Sequence, residues 1–307
     1  TVLCDGCLVG SVATAETDPQ ALARMMVARD ASTTAEDVLA ESAAAPRRPR
    51  AAAPAGPVAL SVAGLCVAGD AGRGAVENVD IEVRQGEIVG VAGVSGNGQR
   101  ELSDAIAGLR APSAGRVELG GRDVTRASVR ERIAAGLGYV PEDRFARGVA
   151  AGLTLEDNLI LRHYWQRRFR RGPFLARGPL NRWVGERRER VEIKGARAGL
   201  RVSILSGGNV QRAILAREIG EDTTALVACS PTRGLDVGVT GTVHELLREQ
   251  RDRGLAVLLV SEDLEEVLSL SDRVLVMYEG RVVGQVDAIS ADPERIGLMM
   301  AGSGDPS

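Results

Sequence analysis

A short apolar run, Ile88-Val89-Gly90-Val91-Ala92, passes directly into Gly93-Val94-Ser95-Gly96-Asn97-Gly98 and then into Gln99-Arg100-Glu101-Leu102. A buried strand, a glycine-rich turn and a helix start in that order describe an α/β unit whose strand end faces a helix N-terminus. Backbone N–H groups with little side-chain bulk around them, at Gly93, Ser95, Gly96, Asn97 and Gly98, can wrap a phosphate, and the helix dipole favours its charge. The two side chains that complete such a site are different here. In GxxxxGK[ST] the Lys reaches the β/γ-phosphates and the Ser or Thr ligates Mg²⁺. Gln99 and Arg100 hold those places; the first is neutral and the second cannot ligate a cation. Losing one preorganised donor costs about 3 kcal/mol of transition-state stabilisation, a loss of roughly a hundred- to a thousand-fold in rate. Apart from Lys194, every Lys/Arg position is Arg, so a lysine clamp could come from only one place.

A second bare helix start is Leu205-Ser206-Gly207-Gly208-Asn209-Val210-Gln211-Arg212, ahead of the helical pattern Val210, Ile214, Leu215, Ile219. Alone, Ser206 reads as an N-cap with a flexible lead-in. Its neighbours add meaning. Followed by the apolar run Ala225-Leu226-Val227-Ala228 and by Pro231-Thr232-Arg233-Gly234-Leu235-Asp236, it resembles the signature motif, Walker B strand and D-loop of ABC-transporter ATPases. LSGGN with PTRGLDVG is most similar to the tandem ATP-binding subunits of bacterial simple-sugar and nucleoside importers, and the resemblance covers nearly the whole chain.

The resemblance implies an ABC-type P-loop NTPase nucleotide-binding domain over residues 58–302, with an antiparallel β-subdomain and a helical subdomain at about 141–205. It implies ATP and Mg²⁺ as cofactors. The implied partners are a preceding ABC domain of the same chain, membrane permease subunits and an extracytoplasmic solute-binding protein, with the chain peripheral at the cytoplasmic face of the membrane. Glu142 takes the place of the Q-loop glutamine. Cys229 and Ser230 stand where the family has its Mg²⁺-holding Asp and catalytic Glu, and Glu262 stands where a His commonly contacts the γ-phosphate. A thiol is a poor ligand for a hard cation, and a serine is a weak base. Phosphate loops and signatures of this family meet across a head-to-tail pair. The expectation is therefore a degenerate site in this domain, with Ser206, Gly207, Gly208, Asn209, Gln211 and Asp236 offered to ATP held by the partner domain. A non-hydrolytic regulatory module, or a soluble tandem protein acting on ribosomes or DNA, are the alternatives.

The organisation of the chain agrees with a tandem. Asp5-Gly6-Cys7-Leu8-Val9-Gly10, Thr17-Asp18-Pro19 and Met25-Met26 recur at a constant offset as Glu279-Gly280-Arg281-Val282-Val283-Gly284, Ala291-Asp292-Pro293 and Met299-Met300. Both copies read as strand, tight turn, strand and short helix, so residues 1–40 are expected to be the tail of a preceding domain. Residues 41–57, almost entirely Ala, Pro and Arg, read as a linker, and residues 303–307 as a tail. Strands are expected at 60–62, 79–83, 117–121, 137–140, 225–228 and 256–260, and helices after Thr154 and over 242–253.

Net charge is -3, which gives no whole-chain case for nucleic acid. The local case is the Arg-rich run from Arg162 to Arg190, interleaved with Tyr164, Trp165, Phe169, Phe174 and Trp183. It carries no recognition-motif spacing, so a helical subdomain with Arg stems over apolar surface is favoured and no nucleic-acid partner is expected. Cys4-Asp5-Gly6-Cys7 has CxxC spacing but reads as a hairpin turn, with no second pair to complete a zinc site.

Overall fold

The computed structural model describes residues 2–4, 7–12, 56–70, 74–190 and 199–302. β1 (Val2–Cys4) and β2 (Cys7–Gly10) form an antiparallel pair. Most of the expected domain remnant, the linker up to residue 55 and the 303–307 tail lie outside the described residues.

From residue 58 the chain builds two sheets. β3 (Val58–Ala68) and β4 (Gly74–Arg84) pair antiparallel. On β4, Val76, Val79, Ile81 and Val83 are buried while Asn78, Asp80 and Glu82 face out, the period of a sheet with one wet face. β5 (Ile88–Ala92) is buried at every residue and leads into α1 (Gln99–Ala107). β6 (Ala114–Leu119) and β7 (Arg122–Asp123) complete a four-stranded sheet in the order β4-β3-β6-β7. β6 stops short of the expected residue 121 because Gly120 and Gly121 both take positive φ and turn the chain.

α2 (Val129–Ala134), with a Ser128/Glu131 capping box, precedes β8 (Leu137–Val140). The next stretch is mainly helical. It holds α3 (Leu155–Ile160), the small hairpin β9 (Arg170–Arg171) and β10 (Phe174–Leu175), and α4 (Arg177–Arg190). Thr154 and Asp157 make the anticipated capping box. Then come α5 (Gly207–Glu218), β11 (Ala225–Cys229), α6 (Val237–Asp252), β12 (Ala256–Ser261), α7 (Leu264–Leu270), β13 (Arg273–Tyr278), β14 (Arg281–Asp287) and α8 (Pro293–Met300). The second sheet has the order β14-β13-β5-β12-β11-β8, parallel except for β14. Its central strands β5, β11 and β12 are buried on both faces, which is why they read as unbroken apolar runs.

α6 starts five residues before the expected 242 because Asp236 caps it, accepting the Val239 N–H at 2.9 Å. Gly238 and Gly241 had masked the first turn, since glycine weakens a helical pattern.

The Arg-rich run is mostly exposed and sends a few side chains inward. Phe169 is buried against Trp183, with ring centroids 5.5 Å apart, and the Arg187 guanidinium lies 4.4 Å over Trp183 while donating to the carbonyls of Ala216 and Ile219. Phe174, by contrast, is 76% exposed on its hairpin. These side chains join a core with Leu155, Leu159, Val210 and Ile214 beneath the parallel sheet. A separate core lies between the two sheets and includes Leu102, Ala105 and Ile106 of α1.

The repeat extends to backbone register. In the first hairpin Cys4 faces Cys7, Leu3 faces Leu8 and Val2 faces Gly10, with an irregularity between Val2 and Leu3. At the equivalent positions of β13 and β14, Tyr278 faces Arg281, Met277 faces Val282 and Val276 faces Gly284, with an irregularity between Val276 and Met277.

Candidate nucleotide-binding site

The loop from β5 to α1 sits at the carboxyl ends of the parallel strands, where open α/β sheets bind ligands. Gly98 has φ 95°, and a Cβ there would collide with the carbonyl oxygen of Ala75. Asn97 ties the loop to the end of β13: its Nδ2 donates to Met277 O at 3.4 Å and its Oδ1 accepts the Glu279 N–H at 3.1 Å. Gln99 is buried and folds back across the turn. Its Nε2 donates to Val94 O at 3.0 Å and lies so close to Gly93 that a Cβ there would be 2.5 Å away. The side chain thus fills space inside the loop. Arg100 points outward, its Nε 3.9 Å from Asp104 Oδ2.

At the end of β11 the Cys229 thiol is buried. Burial pushes its pKa up to about 11, hydrogen bonding to Ser103 opposing and the Asp104 carboxylate reinforcing the shift, so it is a neutral thiol at pH 7. The nearby carboxylate is Asp104, 3% exposed, which accepts from Tyr139 OH at 3.0 Å and from Arg147 Nη2 at 2.9 and 3.0 Å. Burial, with the Asp104 charge adding to it, raises the Tyr139 phenol and keeps it protonated. Ser230 takes φ 40°, and its N–H bonds Val260 O at 2.7 Å. Glu262 is exposed. Gln99, Arg100, Tyr139, Arg147, Cys229, Ser230 and Glu262 line one cleft of about 770 Å³ with Ser95, Gly96, Gly98, Glu142, Arg144 and Arg233.

The donor set does not fit Mg²⁺. One expected oxygen is a guanidinium, the other is a protonated thiol, and the adjacent carboxylate is engaged by Arg147 and Tyr139. Among the described residues no group of three or more His, Cys, Asp and Glu could hold a metal.

On the opposite side of Arg144, Ser206 caps α5, accepting the Asn209 N–H at 3.4 Å. Ser206 is exposed, and Gly207, Gly208 and Asn209 are half-buried. Gly208 is required by packing: a Cβ there would be 2.9 Å from Val239 Cγ2 of α6. Gln211, grouped with these residues on the sequence, is 2% exposed and therefore no part of the open helix end. Asp236 is exposed while capping α6. The D-loop is held from several sides. Arg233 pairs with Glu142, and Arg144 donates to Arg233 O and, at 3.5 Å, to Gly207 O. Thr232 Oγ1 and Ser261 Oγ both donate to the buried Glu266 carboxylate, with His244 Nε2 3.5 Å from it. Burial would raise the Glu266 pKa, but these partners hold it below the usual range.

Asp104, Tyr139, Arg144, Arg147 and Glu266 were not anticipated. Apart from Ser261 beside Glu266, their partners lie far away in sequence, and only the nearness of Arg144 and Arg147 to Glu142 hints at a role.

A parallel sheet flanked by helices, an antiparallel sheet, a phosphate-type loop and a glycine-stripped second helix start define the ABC ATPase class. A family model described as ABC transporter matches residues 76–233. The chain belongs to this family. It is 44% identical to the glucose import ATP-binding protein of Haloferax volcanii over 99% of this chain and 54% of that one. It is 35% identical to the guanosine import ATP-binding protein of Bacillus subtilis, over 99% and 57%, and 38% identical to a ribose import ATP-binding protein of Rubrobacter xylanophilus, over 100% and 55%. The chain thus spans about half the length of these relatives. Among solved structures it superposes on a dimeric ATP-binding cassette in a post-hydrolysis state bound to ADP and Pi. There the TM-score is 0.64 and the identity 21%, covering 75% of this chain and 98% of that one.

Proposed function

We propose that this domain is the second, degenerate half of a tandem ATP-binding subunit energising import of a sugar-like or nucleoside-like solute. It lends its exposed helix start at Ser206, Gly207, Gly208 and Asn209, with Asp236, to ATP and Mg²⁺ held by the preceding domain. Its own phosphate loop binds nucleotide weakly and does not hydrolyse it. The partners are permease subunits in the membrane and an extracytoplasmic solute-binding protein, with the subunit peripheral at the cytoplasmic face.

The observation that carries this reading is an asymmetry between two helix starts. The phosphate loop is filled by Gln99 and lacks oxygen ligands, whereas the α5 start keeps its capping serine exposed and opens on two glycines. The tandem arrangement draws support from the shared hairpin register. The solute class draws support from the relatives, named for glucose, guanosine and ribose import.

The direct test is ATP turnover by the 307-residue chain. Hydrolysis at background level, unchanged by Ser230→Ala, is expected. Robust turnover abolished by that substitution would overturn the reading.

A further inference from the structure

The two elements proposed to reach the neighbouring nucleotide, the α5 start and the D-loop, come from separate parts of the sequence, and the structure gives them a common anchor. Residues 144–148 form a single wide turn in which the Gly148 N–H bonds Asp143 O at 3.0 Å. Asp143 Oδ1 caps the turn, accepting from the Phe145 N–H at 3.0 Å and the Ala146 N–H at 2.8 Å. The turn is seated on α5, since a Cβ at Gly148 would be 2.6 Å from Ile214 Cδ1. From this fixed base the half-buried Arg144 sends one guanidinium nitrogen to Arg233 O in the D-loop and the other to Gly207 O at the first residue of α5.

The backbone on both sides is glycine. A Cβ on Gly234 would be 3.2 Å from Arg144 Nη2 and one on Gly207 would be 3.6 Å from Nη1, so the planar fork slides between the two elements. Two residues before Arg144, Glu142 pairs with the Arg233 guanidinium, so the same segment grips the D-loop twice. Asp143 is the charged group acting on Arg144, and the bridge itself runs to two backbone carbonyls.

We propose that Arg144 is a positioning residue that joins the D-loop to the signature helix start, so that Ser206 and Asp236 are presented as one unit to the nucleotide of the neighbouring domain. This rests on the proposed trans role. Its structural basis, the bridge itself, is independent of that role. A lysine does not replace it, because its three donors radiate from one nitrogen, whereas the guanidinium presents a separate nitrogen to each carbonyl.

The test uses Arg144→Lys and Arg144→Gln, with Arg182→Gln on the exposed face of α4 as control. Hydrogen exchange in this chain is expected to quicken on the order of tenfold, the loss of a charge-assisted hydrogen bond. The increase should appear at 207–210 and 234–239 together, in both Arg144 variants and not in the control. In the protein carrying both domains, kcat for ATP should fall by a similar factor with KM unchanged, because the binding loop belongs to the neighbour. Arg144→Lys retains charge and stem, so it reads the bridge even if Arg144→Gln destabilises the chain. Exchange that rises at one segment only, or a fully active Arg144→Lys, overturns the proposal. If Ser206→Arg also leaves hydrolysis intact, the trans role itself has failed. If Ser206→Arg abolishes hydrolysis while Arg144→Lys changes neither exchange nor kcat, only the Arg144 assignment has failed.

Discussion

Replacing Arg162 by Met tests how the helical segment is fastened to the sheet. Arg162 is 5% exposed and donates from Nη1 to Glu218 O and Oε2, both at 2.8 Å, and from Nη2 to Leu137 O at 2.5 Å. The same carboxylate accepts from Arg217 Nε at 2.7 Å and from the Tyr139 N–H at 3.1 Å. One buried charge therefore links the segment just beyond α3, the end of α5 and strand β8. Burial alone would raise the Glu218 pKa, but Arg217 and Arg162 outweigh it and hold the group ionised. Removing Arg162 takes one of two cations from the buried carboxylate and leaves the Leu137 and Glu218 carbonyls without this donor, which costs about 3–5 kcal/mol. Over the roughly 245 described residues the unfolding entropy is about 0.5 kcal/mol per degree, so Tm should fall by about 6–10 °C. Thermal denaturation followed by circular dichroism measures this, with urea unfolding as a check on ΔG. The triple variant Arg162→Met/Arg217→Met/Glu218→Met should recover much of the loss, because an apolar replacement of the whole cluster leaves neither Arg217 nor Glu218 buried without a partner. A single-variant shift below about 2 °C, or a triple variant as unstable as the single, would refute the reasoning.

Two further perturbations follow from the same structure. His163 is buried beside Trp183, and burial followed by the Arg162 and Arg187 charges lowers its pKa from 6.5 to about 4. The unfolded chain takes up this proton below about 6.5 while the fold does not. Stability is therefore fully present above that pH and is lost as pH falls towards 4, by about 3 kcal/mol in all. His163→Phe should flatten the pH dependence of Tm across that window; an unaltered slope contradicts the assignment. Gln99→Lys should displace the amide from Val94 O and tighten ATP binding to the chain on the order of tenfold through a charge-assisted contact, read by titration with a fluorescent nucleotide. It should give no turnover, since Cys229 and Ser230 still supply no carboxylate; measurable hydrolysis would show that the rest of the site is competent.

Much of the fold was legible because its signals are local. The parallel strands announced themselves as apolar runs at 88–92, 225–229 and 256–261, the β-subdomain by alternation, and α3 by its capping box. At the site, residue identity was legible and orientation was not. That Gln99 and Arg100 replace the usual pair is plain in the sequence; that Gln99 folds back onto Val94 O while Arg100 turns toward Asp104 depends on packing around the loop. Asp104 with Arg147, and Thr232 with Glu266, are long-range pairs without periodicity, so no spacing rule reveals them. Gln211 shows the opposite limit: motif membership grouped it with Ser206, but helical phase buries it.

The account turns on whether the α5 start serves a nucleotide held elsewhere. The most direct measurement is steady-state ATP hydrolysis by the protein carrying both domains, with and without Ser206→Arg, a substitution that puts a bulky side chain at the exposed helix start and leaves the Gln99 loop untouched. Hydrolysis abolished, with the substituted protein still folded, is the predicted result. Hydrolysis at the unsubstituted rate would contradict it.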